Sequence, residues 1–213
     1  MQEPTERTQD RLYHGLGLPP EADDIRARVR EFAAGEVARA VAEMEERAET
    51  VENFPRELFQ RMARLGLFRI PFAVAEGGTG LSSPMLATAI VMEELAYESN
   101  SLAVIYDCQC VLAGRVLQYA SEELKATYLP SVMSGERIAC VAITEPDAGS
   151  DVSPRSVATI ARPVEGGWSL SGHKRFIINA PLADVACILC TIEDSLSMLV
   201  VDMHANGVSV PSP

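Results

Sequence analysis

The stretch Ala139-Cys-Val-Ala-Ile-Thr-Glu-Pro-Asp-Ala-Gly-Ser-Asp151 contains the most informative pattern in this sequence. An apolar run typical of a β-strand leads directly into a polar turn that contains Pro146 and Gly149. Gly149 permits close approach of a ligand to the backbone, and the hydroxyls of Thr144 and Ser150 add hydrogen-bonding groups. The turn therefore indicates a site for a polar, planar ligand, although a capped turn before a strand explains the same residues.

The loop differs from a phosphate-binding P-loop, because it lacks the GxxxxGK[ST] spacing and the lysine of that motif. Its carboxylates at Glu145, Asp147 and Asp151 would also repel a bare phosphate. The pattern instead favours a ligand that presents the hydrogen-bonding edge of a ring.

A second candidate segment is Gly172-His-Lys-Arg-Phe-Ile-Ile-Asn-Ala180. One interpretation is a β-hairpin with Phe176 at its tip, where the ring would cover a flat ligand. The other interpretation is a phenylalanine buried in the core, which is the more common place for this residue type. The residues alone leave both interpretations open.

The chain changes character near residue 136. Before this point apolar residues recur at helical spacing, and afterwards short β-rich runs alternate with Gly, Pro and Ser. Helices are predicted at 21–49, 55–66, 83–97 and 101–119, and after Ser121, and strands at 138–144, 156–162, 168–171, 176–178, 185–192, 198–201 and 207–210. The pattern predicts an α+β fold, with an all-α helical domain at 1–136 followed by a small, mostly antiparallel β-sheet or barrel domain at 137–213.

Composition excludes several functions. The formal net charge of −12 at pH 7 opposes nucleic-acid binding. No run approaches the length of a membrane span, and the polar N-terminus lacks the apolar centre of a signal peptide. A cytoplasmic protein without membrane contact is the expectation.

The five cysteines are odd in number, which opposes a disulfide framework. Cys187 and Cys190 form a CxxC in a predicted strand, where residues three apart face opposite sides. Cys108 and Cys110 do not share a helical face. Ordinary core cysteines are therefore predicted, and no metal site.

The two candidate segments resemble known sequences. Residues 144–151 resemble the flavin and substrate loop of acyl-CoA dehydrogenases, and residues 172–179 resemble that family's second flavin segment, usually written GxKxWITN. Upstream of both, segments that resemble the family's helical domain occur in the same order as in the family, at 53–58, 65–71, 76–80, 91–97 and 128–136. The resemblance runs from about residue 21 to the end. It implies an acyl-CoA dehydrogenase-like but truncated fold, in which FAD lies between the β-domain and a C-terminal helical bundle.

The resemblance also implies roles for individual residues. The cofactor-binding residues would be Val141, Ile143, Thr144, Ser150, Phe176, Ile177 and Ile178. The first three would line the isoalloxazine, with a hydrogen bond from Thr144, and the aromatic segment would cover another part of the ring. The substrate-binding residues would be Ser150, Tyr106 and Asp107, of which the last two would lie near the acyl end. The polar run 106–109 favours a short or polar acyl chain.

Three departures from the family pattern affect the site. Phe176 replaces the usual Trp and keeps an aromatic face. Ile178 replaces the usual Thr, so a hydroxyl near flavin N5 is lost. The pair Ala180-Pro181 replaces a Gly-Gly turn, whereas Asn179 is retained.

No catalytic residue is predicted. In the family a glutamate from the C-terminal helical domain removes the α-proton, and the last β-strands and that domain have no counterpart in these residues. Glu145 occupies a position that is structural in the family. The first hypothesis is therefore a split FAD-dependent dehydrogenase of fatty acid metabolism, which desaturates an acyl thioester on CoA or acyl carrier protein. A C-terminal-half partner subunit would supply the base and cover the open sheet edge, within a homo- or hetero-oligomer.

Three alternatives remain open. A non-catalytic protein could keep this fold to bind acyl thioesters or act as a scaffold, which the change at Ile178 and the missing base favour. A flavin-dependent monooxygenase would keep the fold and change the chemistry, although the intact loop 144–151 argues against it. The chain is also consistent with a truncated piece of a longer gene product.

Overall fold

The computed structural model describes residues 17–48 and 50–211. Its first part is helical, and its second part forms one five-stranded sheet. The α+β fold and the order of its two parts are therefore confirmed.

Helices fill the first part of the described chain. The α-helices are α1 (Pro20–Phe32), α2 (Ala38–Glu46), α3 (Arg56–Arg64), α4 (Pro84–Glu98), α5 (Asn100–Tyr106), α6 (Gly114–Gln118) and α7 (Glu122–Met133). Wider π-helical turns, Ala33–Val37 and Asp107–Ala113, join α1 to α2 and α5 to α6. The helices predicted at 21–49 and 101–119 are thus each interrupted by a π-helical turn. Short 3-10 turns occur at Leu67–Arg69, Val74–Glu76 and Ala180–Leu182.

The helical core follows the predicted apolar stripes. Ile25, Val29 and Phe32 are buried at intervals of four and three residues, which is the spacing of one helical face. Phe59 on α3 and Phe68 belong to the same core, and their ring centroids lie 4.9 Å apart. Burial of this stripe gives α1 most of its stability, because isolated helices of its length are marginal in water.

Ser121 begins α7 as predicted. Its Oγ accepts a hydrogen bond from the N–H of Leu124 at 3.3 Å, which satisfies one of the unpaired donors at the helix start. Ser99 caps α5 in the same way through the N–H of Leu102.

The sheet is mixed and open. Its strands are β1 (Ala139–Ala142), β2 (Ile160–Val164), β3 (Gly167–Ser171), β4 (Val185–Ile192) and β5 (Ser195–Asp202). Strand β4 pairs in parallel with β1 and at one position with β2, and antiparallel with β5, while β2 and β3 form an antiparallel hairpin. Two pairings are therefore parallel, and across the described residues the sheet does not close into a barrel. The strand predicted at 156–162 begins only at residue 160.

Two predicted strands are wrong. Residues 176–178 form a bend that leads into a turn. Phe176 has φ +57°, and Asn179, directly after this segment, has φ +66°. Extended strands do not use this left-handed region. Residues 172–175 and 177, on either side of Phe176, form no strand, so the predicted hairpin with an aromatic tip is also wrong. The run Phe-Ile-Ile has strand propensity, but tertiary contacts decide its conformation. Residues 207–210 likewise lie in a turn and an irregular segment.

All five cysteines are buried and free, as predicted for core residues. Burial raises the pKa of Cys140 and of Cys187 to about 12, so both thiols stay protonated at neutral pH. Within the described residues, no group of three or more His, Cys, Asp or Glu is arranged to hold a metal ion. None of the described helices is both long and apolar enough to cross a membrane.

Gln109 joins the helical part to the sheet. It is completely buried in the second π-helical turn, and its Nε2 donates to the carbonyl oxygens of Val132 at 2.9 Å and Arg137 at 2.8 Å. Its Oε1 accepts from the N–H of Ala139 at 2.9 Å. One side chain thus satisfies backbone groups near the end of α7, in the connecting segment and at the start of β1.

Replacing Gln109 with leucine keeps the approximate volume but removes the side-chain partner of the Arg137 carbonyl oxygen and of the Ala139 N–H, whereas the Val132 carbonyl oxygen still accepts from the N–H of Gly135 at 3.2 Å. Each buried unsatisfied group costs about 1–3 kcal/mol, so we expect Gln109→Leu to lower the free energy of unfolding by about 2 kcal/mol or more. Urea denaturation followed by circular dichroism measures this change. The matched control is Gln60→Leu at an exposed position of α3; equal losses in both variants would contradict the role of Gln109.

Candidate functional site

The two segments singled out in the sequence lie side by side. The N–H of Arg175 donates to the carbonyl oxygen of Thr144 at 2.8 Å, and Nζ of Lys174 donates to that of Ile143 at 3.0 Å. We define the candidate site as residues 141–151 together with residues 172–180. Both segments therefore contribute to one surface.

Several apolar side chains of the candidate site are open to solvent. Ile143 is 37% exposed, Ile178 is 42% exposed and Phe176 is 76% exposed. Val141 and Ile177 are half-buried. The interpretation of Phe176 as a core residue is therefore wrong, and the site presents exposed apolar side chains of the kind that often mark interaction surfaces.

Phe176 also has an unusual backbone conformation. Its φ of +57° is in the left-handed region, which costs a non-glycine residue roughly 1–2 kcal/mol. The Arg175 guanidinium lies 4.5 Å from the centroid of the exposed ring, within the range of a cation–π contact. Strained residues of this kind are typical of functional sites, where the conformation serves a ligand rather than stability.

The strand register adds two residues that the sequence did not single out. Val141 pairs with Cys187, so both side chains lie on the same face of the sheet. Two residues further along β4, Leu189 shares that face and pairs with Met198 of β5. Both are half-buried and extend the apolar row that begins at Val141. The sequence indicated that residues 185–192 form a strand, but not which strands pair with it.

A buried carboxylate holds the candidate site together. Glu145 accepts hydrogen bonds from the N–H groups of Ala158 at 2.7 Å and Thr159 at 3.0 Å, and from the Thr159 hydroxyl at 2.5 Å. It also accepts a hydrogen bond from Nζ of Lys174 at 2.7 Å, within a buried ion pair. We call Glu145, Ala158, Thr159 and Lys174 the Glu145 cluster. It connects three segments that are distant in the sequence.

The surroundings of Glu145 fix its charge. Burial alone would raise its pKa, but the hydrogen bonds from Lys174, Thr159 and Ala158 favour the ionised form more strongly and lower the pKa from 4.5 to about 2. A carboxylate with this pKa and these partners is a poor proton acceptor at neutral pH.

Gly172 approaches this cluster closely. A Cβ atom at position 172 would lie 2.2 Å from Oγ1 of Thr159, so only glycine fits without a displacement of that threonine or of the segment itself. The glycine of the second segment therefore has a packing reason that the sequence alone did not show.

The remainder of the loop is also ordered by hydrogen bonds. The backbone groups of Glu145 and Ala148 bond to each other, at 2.8 and 3.3 Å. Asp151 accepts hydrogen bonds from the Ser156 hydroxyl and from the N–H of Ser153, and these bonds lower its pKa. Between these two contacts, Ser150 is exposed.

The predicted substrate residues Tyr106 and Asp107 differ in their surroundings. Tyr106 is completely buried, with its hydroxyl 3.4 Å from the carbonyl oxygen of Leu67. Asp107 is half-buried, and burial raises its pKa. The next residue, Cys108, contacts the carbonyl oxygen of Ile178 through Sγ at 3.5 Å. The π-helical turn that begins at Asp107 therefore adjoins the candidate site, whereas a substrate contact of Tyr106 stays a prediction.

Two protein-family models match the chain. The model described as acyl-CoA dehydrogenase, N-terminal domain, matches residues 19–136. The model described as acyl-CoA dehydrogenase, middle domain, matches residues 140–213.

Individual relatives agree with these matches. Benzylmalonyl-CoA dehydrogenase of Aromatoleum aromaticum is 30% identical over 91% of this chain and 50% of the relative. L-prolyl-[peptidyl-carrier protein] dehydrogenase of a Serratia species is 39% identical over 62% of this chain and 34% of the relative. The crystal structure of a glutaryl-CoA dehydrogenase from Mycobacterium smegmatis in complex with FADH2 has a TM-score of 0.79 and 28% identity, over 94% of this chain and 48% of that one. The chain spans about half the length, or less, of these relatives.

The depressed pKa of Glu145 predicts a pH-dependent contribution to stability. Its folded pKa lies below the unfolded value, so the contribution is present above about pH 4.5 and is lost as the pH falls towards about 2. A shift of this size corresponds to about 3 kcal/mol. We expect the difference in unfolding free energy between the wild type and Glu145→Gln to shrink between about pH 6 and pH 3, measured by urea denaturation. The control is Glu57→Gln at an exposed position of α3, and a pH-independent difference for Glu145→Gln would contradict the assignment.

Proposed function

The chain belongs to the acyl-CoA dehydrogenase family, and on this basis we propose that it forms the helical domain (1–136) and β-domain (137–213) of an FAD-dependent dehydrogenase. Such an enzyme desaturates an acyl thioester between its α- and β-carbons. The thioester would be carried by CoA or by a carrier protein, as in the name of the Serratia relative. A partner chain would supply the catalytic carboxylate, and a cytoplasmic location is part of the same proposal.

The main support is the hydrogen-bonded union of the two candidate segments. It leaves apolar side chains exposed beside polar backbone, which fits the faces and edge of an isoalloxazine ring. Within residues 17–48 and 50–211, neither the N–H nor the hydroxyl of Thr144 has a hydrogen-bond partner. These groups are free to bind the polar edge of such a ring. When bound, FAD supplies the acceptor for the hydride that leaves the β-carbon of the substrate.

The roles of the site residues follow from their surroundings. Val141 and Ile143 would contact one part of the ring, and Phe176 and Ile177 another part. Ser150 would contact both the cofactor and the thioester through its exposed hydroxyl, which has one donor hydrogen and two acceptor lone pairs. These groups orient the two reactants and keep water from the ring, which is how a protein assists chemistry that its cofactor performs.

The acid–base group would come from elsewhere, because the two hydrogen-bonded carboxylates of the candidate loop, Glu145 and Asp151, are unsuited to this task. Glu145 has a pKa of about 2, and its oxygens are occupied by four hydrogen bonds. The pKa of Asp151 is also lowered, by the hydrogen bonds from Ser156 and Ser153. A base that works at neutral pH needs a higher pKa than these groups have, which supports a contribution from a partner chain.

A non-catalytic thioester-binding protein is the second candidate. The observation that favours it is Ile178, which is 42% exposed in the candidate site and offers no hydroxyl. Such a protein would keep the apolar surface and lose the group that contacts the reacting edge of the flavin. Flavin binding separates the two candidates.

The test is visible absorbance after FAD is added to the purified chain, alone and with the protein encoded beside its gene. We expect stable yellow colour with the partner, and loss of flavin absorbance when an acyl thioester is added without oxygen. CoA and carrier-protein thioesters are compared in parallel. Absence of FAD binding in both mixtures favours the thioester-binding protein. In a separate sample, an oxygenated product that forms when O2 is admitted to the chemically reduced flavoprotein indicates a monooxygenase.

Matched variants at Phe176 show whether any FAD occupies the proposed site. Phe176→Ala keeps the strained backbone and removes a ring that is mostly exposed, so stability should change by less than about 1 kcal/mol while FAD affinity falls. Phe176→Trp keeps an aromatic face and should retain binding. Unchanged FAD affinity in Phe176→Ala would contradict the proposed site.

Asp107 provides a test of substrate class. We propose that its half-buried carboxylate binds a polar part of the acyl group, because within the described residues it forms no ion pair. Asp107→Asn should reduce kcat/KM for a polar acyl thioester roughly tenfold, the scale of one lost charged hydrogen bond. An unbranched aliphatic thioester of equal length is the control substrate. Equal losses for both substrates would show that the variant disturbs the fold and not selectivity.

A further inference from the structure

We propose that Lys174 is a positioning residue that strengthens the Thr144 N–H as a hydrogen-bond donor. It does so by polarising the peptide group between Ile143 and Thr144. This inference rests on the proposed function for its consequence, because the acceptor would be the flavin. Its first step concerns the protein alone.

The geometry around Lys174 is well defined. Its Nζ lies 3.0 Å from the carbonyl oxygen of Ile143 and 2.7 Å from Oε1 of Glu145. The side chains of this ion pair are only 10% and 4% exposed, so water screens them weakly. The ammonium is therefore held firmly by the carboxylate, and its hydrogen bond to the more exposed carbonyl group of Ile143 is charge-assisted, which makes it stronger than one between neutral groups.

The carbonyl of Ile143 and the N–H of Thr144 belong to the same planar peptide group. Electron density drawn towards the oxygen by the ammonium leaves the nitrogen, so the N–H becomes a stronger donor. No acceptor for this N–H lies within residues 17–48 and 50–211. The polarised donor is therefore available to a ligand.

Glu145 offsets part of the ammonium charge but does not cancel its effect. The carboxylate shares its negative charge with three other donors, from Ala158 and Thr159. The ammonium lies between the Glu145 carboxylate and the Ile143 carbonyl oxygen and contacts both. The pair therefore presents its positive end to the peptide group, and the carboxylate fixes the lysine in place.

The consequence is a preference for the reduced cofactor. Reduction by two electrons places extra negative charge on the pyrimidine part of a flavin, and a strong donor at that edge favours the reduced form. Lys174 would thus make the bound flavin a better hydride acceptor without touching it.

The experiment compares wild type with Lys174→Met/Glu145→Gln, a double variant that avoids a buried unpaired carboxylate. We expect the amide nitrogen resonance of Thr144 to move upfield in the variant without FAD. With FAD and any partner needed for binding, affinity for the reduced form should fall roughly tenfold more than affinity for the oxidised form, the scale of one charge-assisted hydrogen bond. The single variant Lys174→Arg keeps a cation at this position and should retain both the wild-type Thr144 resonance and the wild-type preference for reduced FAD.

Controls separate polarisation from loss of structure. Arg162→Met removes an exposed cation of β2 and should leave the Thr144 resonance unchanged. The resonances of Ala161 and Leu170, a pair in the β2–β3 hairpin, report whether the variant keeps its fold. An unchanged Thr144 resonance overturns the proposal, as do equal losses of affinity for both redox states. If the wild type binds no FAD, the proposed function fails, and the Thr144 resonance alone decides the polarisation.

Discussion

The buried ion pair between Glu145 and Lys174 is the interaction on which the candidate site depends. Taking two charges out of water is costly, and the pair persists because every oxygen of the carboxylate is occupied by hydrogen bonds. Three segments meet at this carboxylate: the loop after β1, the entry to β2 and the segment that carries Phe176. Together with the hydrogen bond from the N–H of Arg175 to Thr144, these paired polar groups hold the exposed side chains on one surface. The buried polar groups of the Glu145 cluster thus fix the positions of the exposed apolar side chains.

The π-helical turn Asp107–Ala113 plays the corresponding role between the helical part and the sheet. Three consecutive residues at its start have different surroundings: Asp107 is half-buried, Cys108 contacts the carbonyl oxygen of Ile178, and Gln109 bonds to the connecting segment and β1. A π-helical turn widens the helix and changes the direction of its side chains, and such turns are frequent at functional sites. The same turn therefore stabilises the junction and adjoins the candidate site.

Stability and ligand binding are assigned to different residues here. The buried groups, Glu145 and Gln109, satisfy backbone donors and acceptors and fix the geometry. Phe176 contributes little to stability, because its ring is mostly exposed and its backbone is strained. The aromatic segment does not follow the strand propensity of its residues, because tertiary contacts override that propensity.

The sequence by itself determined the helices, the central strands, the capping role of Ser121 and the two segments of the candidate site, because apolar spacing and turn chemistry are local properties of the chain. It could not determine that residues 176–178 form a turn, that Tyr106 lies in the core while Asp107 remains partly exposed, or that Lys174 binds Glu145. Only the tertiary structure decided these features. Pairing and burial depend on which distant segments meet, and a local pattern carries no information about its partner.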